Sequence, residues 1–374
     1  MILIRITLKW HLIESIIQNE RCVLMKTGKT LQELAFELDR QSKAKCDLIV
    51  DTGSLKMEAD DTDLKLHIGD HETVGINNIA HRQFGQHLKI PAQYYDRMRN
   101  ENPELLTTNV NSWFRQYPDT RRMLRTLDGT ARAFLSDRYR RIDNYEVAEA
   151  VLPIIGSMDG ARVESCELTD SKMYIKVVNP RIEGEIQKGD IVQAGIVISN
   201  SEVGHGSVSV RPLIYRLVCS NGMIAEDGSI RKYHVGRINE MDSNYGIYRD
   251  ETIEADDRAL LMKIEDAVRA AVDETRFNEI VGKLRDSMDL KIKPNSVSKI
   301  IELTAKDYIL SRDESEGVLG HLIAGGDLSL YGLANAVTRY AHDVDSYDRS
   351  TELEATGYKI AVMSPMLWKN MLKV

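Results

Sequence analysis

The sequence predicts an α+β fold: an antiparallel β-sheet meander with helices packed on it, followed by a C-terminal helical region. Three observations predict it. Apolar residues recur at helical spacing over Thr30 to Arg40 and again over Asn77 to Tyr117. The chain between Met123 and Cys219 breaks into short extended runs separated by turn residues. Beyond Glu251, three- and four-residue spacing returns. Helix, sheet and helix are thus segregated along the chain, whereas a doubly wound fold would alternate them.

Leu31, Leu34, Ala35 and Leu38 predict a helix over Thr30 to Arg40, with Thr30 and Glu33 forming a capping box. Cys46 to Ile68 carries Asp51-Thr52-Gly53 and Asp60-Asp61-Thr62-Asp63, and reads as irregular structure with short extended pieces. Ile79, Phe84, Leu88 and Ile90 predict a helix that breaks near Pro91, followed by another turn set at Tyr94, Tyr95 and Met98. Pro103 suits a first helical position and opens a third helix, to Tyr117. Asp128-Gly129 between two apolar runs is the strongest hairpin signal. A helix around Tyr145 to Ile155 precedes extended runs at Arg162 to Leu168, Met173 to Val178, Ile191 to Ser199 and Ser207 to Cys219. The pattern Ala259, Leu260, Ile264, Ala267, Val268, Ala271 and Val272 predicts one helix running to Met288, with others at Ser296 to Leu310, Glu314 to Ala324 and Ser329 to His342.

With 374 residues, 43% of them hydrophobic, the chain can bury more than one core. The expected division is an α+β core domain over residues 25–245 and a C-terminal helical domain over 246–374. Residues 1–24 are read as an upstream extension, because Met25 opens a stretch that looks like a natural beginning; Arg5, Lys9, His11 and Glu14 interrupt the apolar run there, which is too short and too charged to span a bilayer. The cysteines Cys22, Cys46, Cys166 and Cys219 show no paired spacing, so reduced thiols in a cytoplasmic setting are expected, without structural zinc. A net charge of -8 places any nucleic-acid contact on a local basic patch rather than a global field.

Such a patch is present between Arg115 and Arg141. Eight arginines (Arg115, Arg121, Arg122, Arg125, Arg132, Arg138, Arg140 and Arg141) meet three aspartates and no lysine, a local charge of +5. Trp113, Phe114, Tyr117, Phe134 and Tyr139 are interleaved with them. Guanidinium groups bind phosphates and aromatic faces stack on bases, a mixture suited to single-stranded nucleic acid. A strand over Ala131 to Arg140 would place Arg132, Phe134, Ser136, Arg138 and Arg140 on one cationic face. The competing reading is that these arginines pair with some of the chain's 57 acidic residues. Arg211 and Arg216 complete the candidate set.

Other chemistry is thinly signalled. His67, His71, His81 and His87 match no metal motif, and no metal or other cofactor is expected. Cys219 precedes Ser220-Asn221-Gly222, where Asn221-Gly222 is read as a hairpin turn with positive φ, and Ser201, His205 and Asp190 lack a nucleophile-elbow pattern. Neither a phosphate-loop motif nor a strand-linked dinucleotide-binding glycine motif occurs.

Four blocks, Phe84 to Pro91, Arg132 to Arg140, Tyr215 to Gly222 and Leu330 to Ala341, together resemble the phage/plasmid-like family called domain of unknown function 932, which includes prophage proteins of the YafZ type. The resemblance implies a mobile-element origin and supplies no catalytic residues. The expected function is a nucleic-acid-binding accessory, of the single-strand DNA annealing or recombination kind, acting as a homo-oligomer without a membrane association. The alternative is a non-enzymatic interaction protein that modulates host defence through a host protein partner and an acidic surface including Asp60-Asp61 and Asp256-Asp257.

Overall fold

The computed structural model describes residues 28–60, 63–69, 72–139, 141–226, 250–271 and 273–372. The chain is an α+β protein built on two sheets. Helix α1 (Leu31–Ala44) starts at the foreseen capping box, with Thr30 Oγ1 accepting from the Glu33 N–H, and buries Leu31, Leu34, Ala35 and Leu38. It is followed by β1 (Lys45–Asp51), β2 (Leu55–Ala59), β3 (Leu64–Ile68) and β4 (Glu72–Ile76). The stretch expected to be irregular is therefore mostly strand. Leu55 and Met57, then Leu64, Leu66 and Ile68, alternate inward while Lys56, Glu58 and Lys65 alternate outward, a period of two on either side of the acidic loop.

Helices α2 (Asn78–His87), α3 (Ala92–Glu101) and α4 (Pro103–Gln116) follow, separated at Pro91 and at the Asn102 cap. Strands β5 (Arg121–Leu127) and β6 (Thr130–Ser136) form the expected hairpin, and positive φ at both Asp128 (51°) and Gly129 (70°) matches a two-residue turn of the primed kind. The first sheet has the order β1-β5-β6-β4-β3-β2, antiparallel except for β4 against β6. That parallel contact covers only Gly75 with Thr130 and Ile76 with Ala131. Farther along β6, α2 covers the edge instead, and Gln83 Oε1 accepts from the Phe134 N–H at 2.6 Å. Phe84, Tyr95, Leu106, Val110 and Phe114 from these helices pack on Leu66, Val74, Leu124 and Phe134.

The second sheet is the expected meander. After α5 (Asn144–Ser157) come β7 (Arg162–Leu168), β8 (Met173–Glu185), β9 (Ile191–Asn200), β10 (Ser209–Arg216) and β11 (Asn221–Ile224), paired antiparallel in sequence order. The positive φ near Cys219 belongs to Ser220 (50°); Asn221 and Gly222 lie inside β11, a correction to the turn assignment. Helix α6 (Asp250–Ala271) ends where Asp273 caps α7 (Glu274–Met288), so the single helix expected to reach Met288 is two. Then come α8 (Val297–Tyr308), α9 (Arg312–Gly325), α10 (Leu330–Tyr340), α11 (Tyr347–Ala361) and α12 (Pro365–Met371).

The boundary expected at residue 245 is not a break in packing. Phe277, Ile280, Val281, Val318, Leu333 and Val337 share one core with Val192, Ala194 and Ile214 of the second sheet. The helices after residue 250 complete that sheet because its strands are apolar on both faces: Ile175, Val177 and Ile196 face α5 and α6, while Tyr174, Val178 and Val197 face α11. On the α11 side the Lys176 ammonium meets the Glu354 carboxylate at 2.5 Å, both fully buried, with the ammonium over the Tyr347 ring. No helix among the described residues is long and apolar enough to cross a membrane.

Gly195 in β9 sits where a Cβ would lie 2.4 Å from the Val177 carbonyl oxygen, a backbone atom fixed by strand pairing. Gly195→Ala is expected to destabilise the fold by about 1–3 kcal/mol, read as a lower urea midpoint.

Candidate nucleic-acid interface

The arginine block divides into two populations. Arg125 points from β5 into the space between the two sheets and is fully buried. Its Nε and Nη2 donate to the Asp47 carboxylate at 2.7 and 2.9 Å, Nη2 also to Asp143 at 2.6 Å, and Nη1 to the Glu202 carbonyl at 2.9 Å. Burial works against this charge, but hydrogen bonds and charges from Asp47 and Asp143 outweigh it and raise the pKa. For Asp143, burial acts upward, and Arg125 and Lys45 outweigh it, holding the carboxyl below its ordinary value. Arg132, also buried, is ion-paired to Glu202 at 2.7 Å. Arg141 lies 3.7 Å from Asp47.

Arg211 pairs with Glu226 at 2.9 Å. Arg216 grips Asp190 with two bonds of 2.6 and 2.9 Å, donates to Cys219 Sγ at 3.2 Å and covers the Tyr331 ring. Phe134 is buried in the first core, and Tyr139 donates its hydroxyl hydrogen to the Ser201 carbonyl at 3.1 Å. These residues serve packing and pairing. The single cationic face expected on β6 does not form, because Ala131 to Leu135 are buried on both sides. Arg140 lies outside the described residues.

Arg121, Arg122 and Arg138 make up the second population. Arg121 and Arg122 begin β5, Ser136 ends β6, and the register sets Asp51 opposite Arg121 and Ser136 opposite Arg122, so all three arginines collect at one end of the first sheet. Arg121 and Arg138 are exposed. Arg122 lays its guanidinium 5.0 Å over the Phe134 ring, leaving its buried Nε without a hydrogen-bond partner among the described residues. Burial lowers its pKa, with Asp137 opposing. His87, at the end of α2, meets the other side of the same region: its ring is 5.4 Å from Phe134, and burial followed by the Arg122 charge lowers its pKa to about 4. Among the described residues none of these three arginines makes an ion pair, although Asp51, Asp119 and Asp137 lie in the same stretch of surface.

Beside this rim, Trp113 and Tyr117 at the end of α4 are exposed and parallel, with centroids 6.3 Å apart and an interplanar angle of 2°. Arg115, also exposed, makes among the described residues a single 3.4 Å contact, to Ser112 Oγ. The i, i+4 spacing of Trp113 and Tyr117 at a helix end is the sequence signal that singles out this pair. Bases stack on such faces irrespective of sequence, and unpaired guanidinium groups attract phosphates.

The remaining candidates are accounted for structurally. His81 is a core residue bonded to the Tyr95 hydroxyl at 2.9 Å, and burial pushes its pKa down to about 3. His67 lies between Glu58 and Thr73. His71 lies outside the described residues. No group of three His, Cys, Asp or Glu among the described residues is placed to hold a metal. Asp190 is committed to Arg216 and Tyr331, while Ser201 Oγ donates to the Ser171 carbonyl and accepts from the His205 backbone N–H, an arrangement unlike a catalytic relay.

The two-sheet α+β architecture, with an unpaired cationic rim and no assembled catalytic group among the described residues, defines the class of molecule only broadly. The family model described as domain of unknown function (DUF932) matches residues 132–356, and the chain belongs to this family. The match starts on β6 and ends within α11, so it takes in the whole second sheet. No curated protein matches the chain. No solved structure matches it either.

Arg125→Met leaves Asp47 and Asp143 facing each other without their common cation, and an unfolding loss of about 3–5 kcal/mol is expected by denaturant titration. Arg138→Gln is expected to leave the midpoint unchanged. Since the Asp143 pKa is depressed in the fold, its stabilisation is present above the unfolded-state pKa and is lost as pH falls through the folded value. Asp143→Asn should therefore flatten the acid limb of a stability-against-pH curve.

Proposed function

We propose that the protein binds single-stranded nucleic acid at the end of the first sheet, with Arg115, Arg121, Arg122 and Arg138 contacting phosphates and Trp113 and Tyr117 stacking on bases. The observation that carries this reading is selective pairing: in a chain of net charge -8, the interior arginines of the block are neutralised, while Arg115, Arg121, Arg122 and Arg138 make no ion pair among the described residues and lie beside two exposed parallel rings. The finer reading is a single-strand DNA annealing or recombination accessory of a mobile element, working as a homo-oligomer in the host cytoplasm. Neither role requires a nucleotide or a metal.

Fluorescence anisotropy of a labelled single-stranded oligonucleotide, titrated at low and moderate salt, tests the reading. Tight binding that weakens with salt is expected, because phosphate contacts release counterions. Each of Arg121→Gln, Arg122→Gln and Arg138→Gln should reduce the log–log salt slope by about 0.7. Trp113→Ala or Tyr117→Ala should cost about 1–3 kcal/mol for each base that loses its platform. Absence of any anisotropy change at low salt would remove nucleic acid as the ligand. Annealing of complementary strands by the wild-type protein, tested in the same buffer, separates the finer reading from simple strand binding.

A further inference from the structure

A second basic corner adjoins the first through α2. Gln83, whose Oε1 caps the Phe134 N–H, donates from Nε2 to the Val203 carbonyl at 2.8 Å, and so joins the edge of β6 to the loop between β9 and β10. In that loop Gly204 (78°) and Gly206 (133°) have positive φ, and Gly204, His205 and Gly206 are all exposed. A Cβ on Gly204 would lie 2.7 Å from the Leu135 side chain, so the loop is seated directly against the end of β6. The Lys172 side chain, from the β7–β8 turn, passes beside Gly206, its Cε 3.7 Å from where a Cβ would be.

Arg82, next to Gln83 on α2, is exposed. Neither Arg82 nor the Lys172 ammonium makes an ion pair among the described residues. Both stand near enough to His205 for their charges to add to desolvation in lowering its pKa. Asp348 acts on His205 in the opposite sense, and its oxygens already accept from Thr169 Oγ1 at 3.1 and 3.2 Å and from Ser171 Oγ at 2.6 Å. The corner thus offers two unpaired cations, an imidazole and a tight glycine-bearing loop that lets a ligand approach the backbone.

We infer that Arg82, Lys172 and His205 form a phosphodiester-binding corner that receives the same single strand as it leaves the arginine rim and passes from the first sheet to the second. The inference rests on the nucleic-acid reading above and extends it to a path. Unpaired cations at the junction of α2, the β7–β8 turn and the β9–β10 loop stand at the same end of β6 as Arg122 and Arg138, because Gln83 and Gly204 are both anchored at Phe134 and Leu135. A chain of phosphates following this line would contact both sheets, so strand binding would bridge the segments that precede and follow β6.

The test uses the full chain and a labelled oligothymidylate long enough to span both clusters. Arg82→Gln with Lys172→Gln is expected to reduce the log–log salt slope by about 1.4, about 0.7 for each lost phosphate contact, with the urea midpoint unchanged. If the wild type binds and Arg121→Gln or Arg138→Gln weakens it while the Arg82/Lys172 variant keeps the wild-type slope, the path is wrong and the arginine rim stands. If the wild type fails to bind at low salt, the nucleic-acid reading falls and takes this corner with it. Should the double variant shift its midpoint, Arg82→Lys with Lys172→Arg, which keeps both charges, must restore the slope; failure to restore it overturns the inference.

Discussion

The Arg125 guanidinium holds together three parts of the chain that are remote in sequence. Asp47 comes from β1, Asp143 caps α5 at the entrance to the second half, and the Glu202 carbonyl belongs to the loop that follows β9. All five N–H groups of an arginine point in one plane, so a fully buried guanidinium can be satisfied only by acceptors arriving from several directions. The cost of desolvating the charge is offset by a balanced group of two cations, Arg125 and Lys45, and two carboxylates, Asp47 and Asp143, and removing one member leaves a charge in excess inside. The relative position of the two sheets is thereby tied to one side chain, supported by Arg132 with Glu202 and by Lys45 with Asp143.

Pairing in the interior also decides what the surface can do. Aspartates and glutamates drawn inward by Arg125, Arg132 and Arg216 are unavailable to the arginines outside. An acidic chain can in this way present a cationic edge: its net charge describes the whole molecule, whereas a ligand within a Debye length of about 8–10 Å senses the local arrangement. Trp113 and Tyr117 stay exposed because Phe114, between them, is the residue of that helix turn committed to the core. Bulky aromatic surface beside unpaired guanidinium is the same balance seen from the apolar side.

The second sheet obeys a different constraint. Its central strands are apolar on both faces, so it requires helices on both, and the chain supplies α5 and α6 for one and α11 for the other. Within the α11 layer, Lys176 and Glu354 meet without solvent; burial raises the Glu354 pKa while Lys176 opposes it. A buried pair of this kind constrains which face of α11 meets β8, since any other rotation would strand both charges.

Local signals in the sequence determined the helix caps, the Asp128-Gly129 hairpin and the meander of the second half, because a capping box, a positive-φ turn and strands joined by short turns each depend on residues a few positions apart. Strands β2 and β3 also carried their alternation, Leu55, Met57, Leu64, Leu66 and Ile68, but the polar loop between them divided it into runs too short to stand out. The split at Asp273 is likewise written as a cap, but one set within a continuous apolar pattern that hides it. The arginine block was visible as a composition, and Trp113 and Tyr117 as two of the aromatic residues interleaved with it. Only the tertiary structure decided which arginines are free, since Asp47, Glu202 and Asp190 approach their partners from 26 to 78 residues away. A charge is neutralised by whatever the fold brings within a few ångströms, and one-dimensional order does not record that distance.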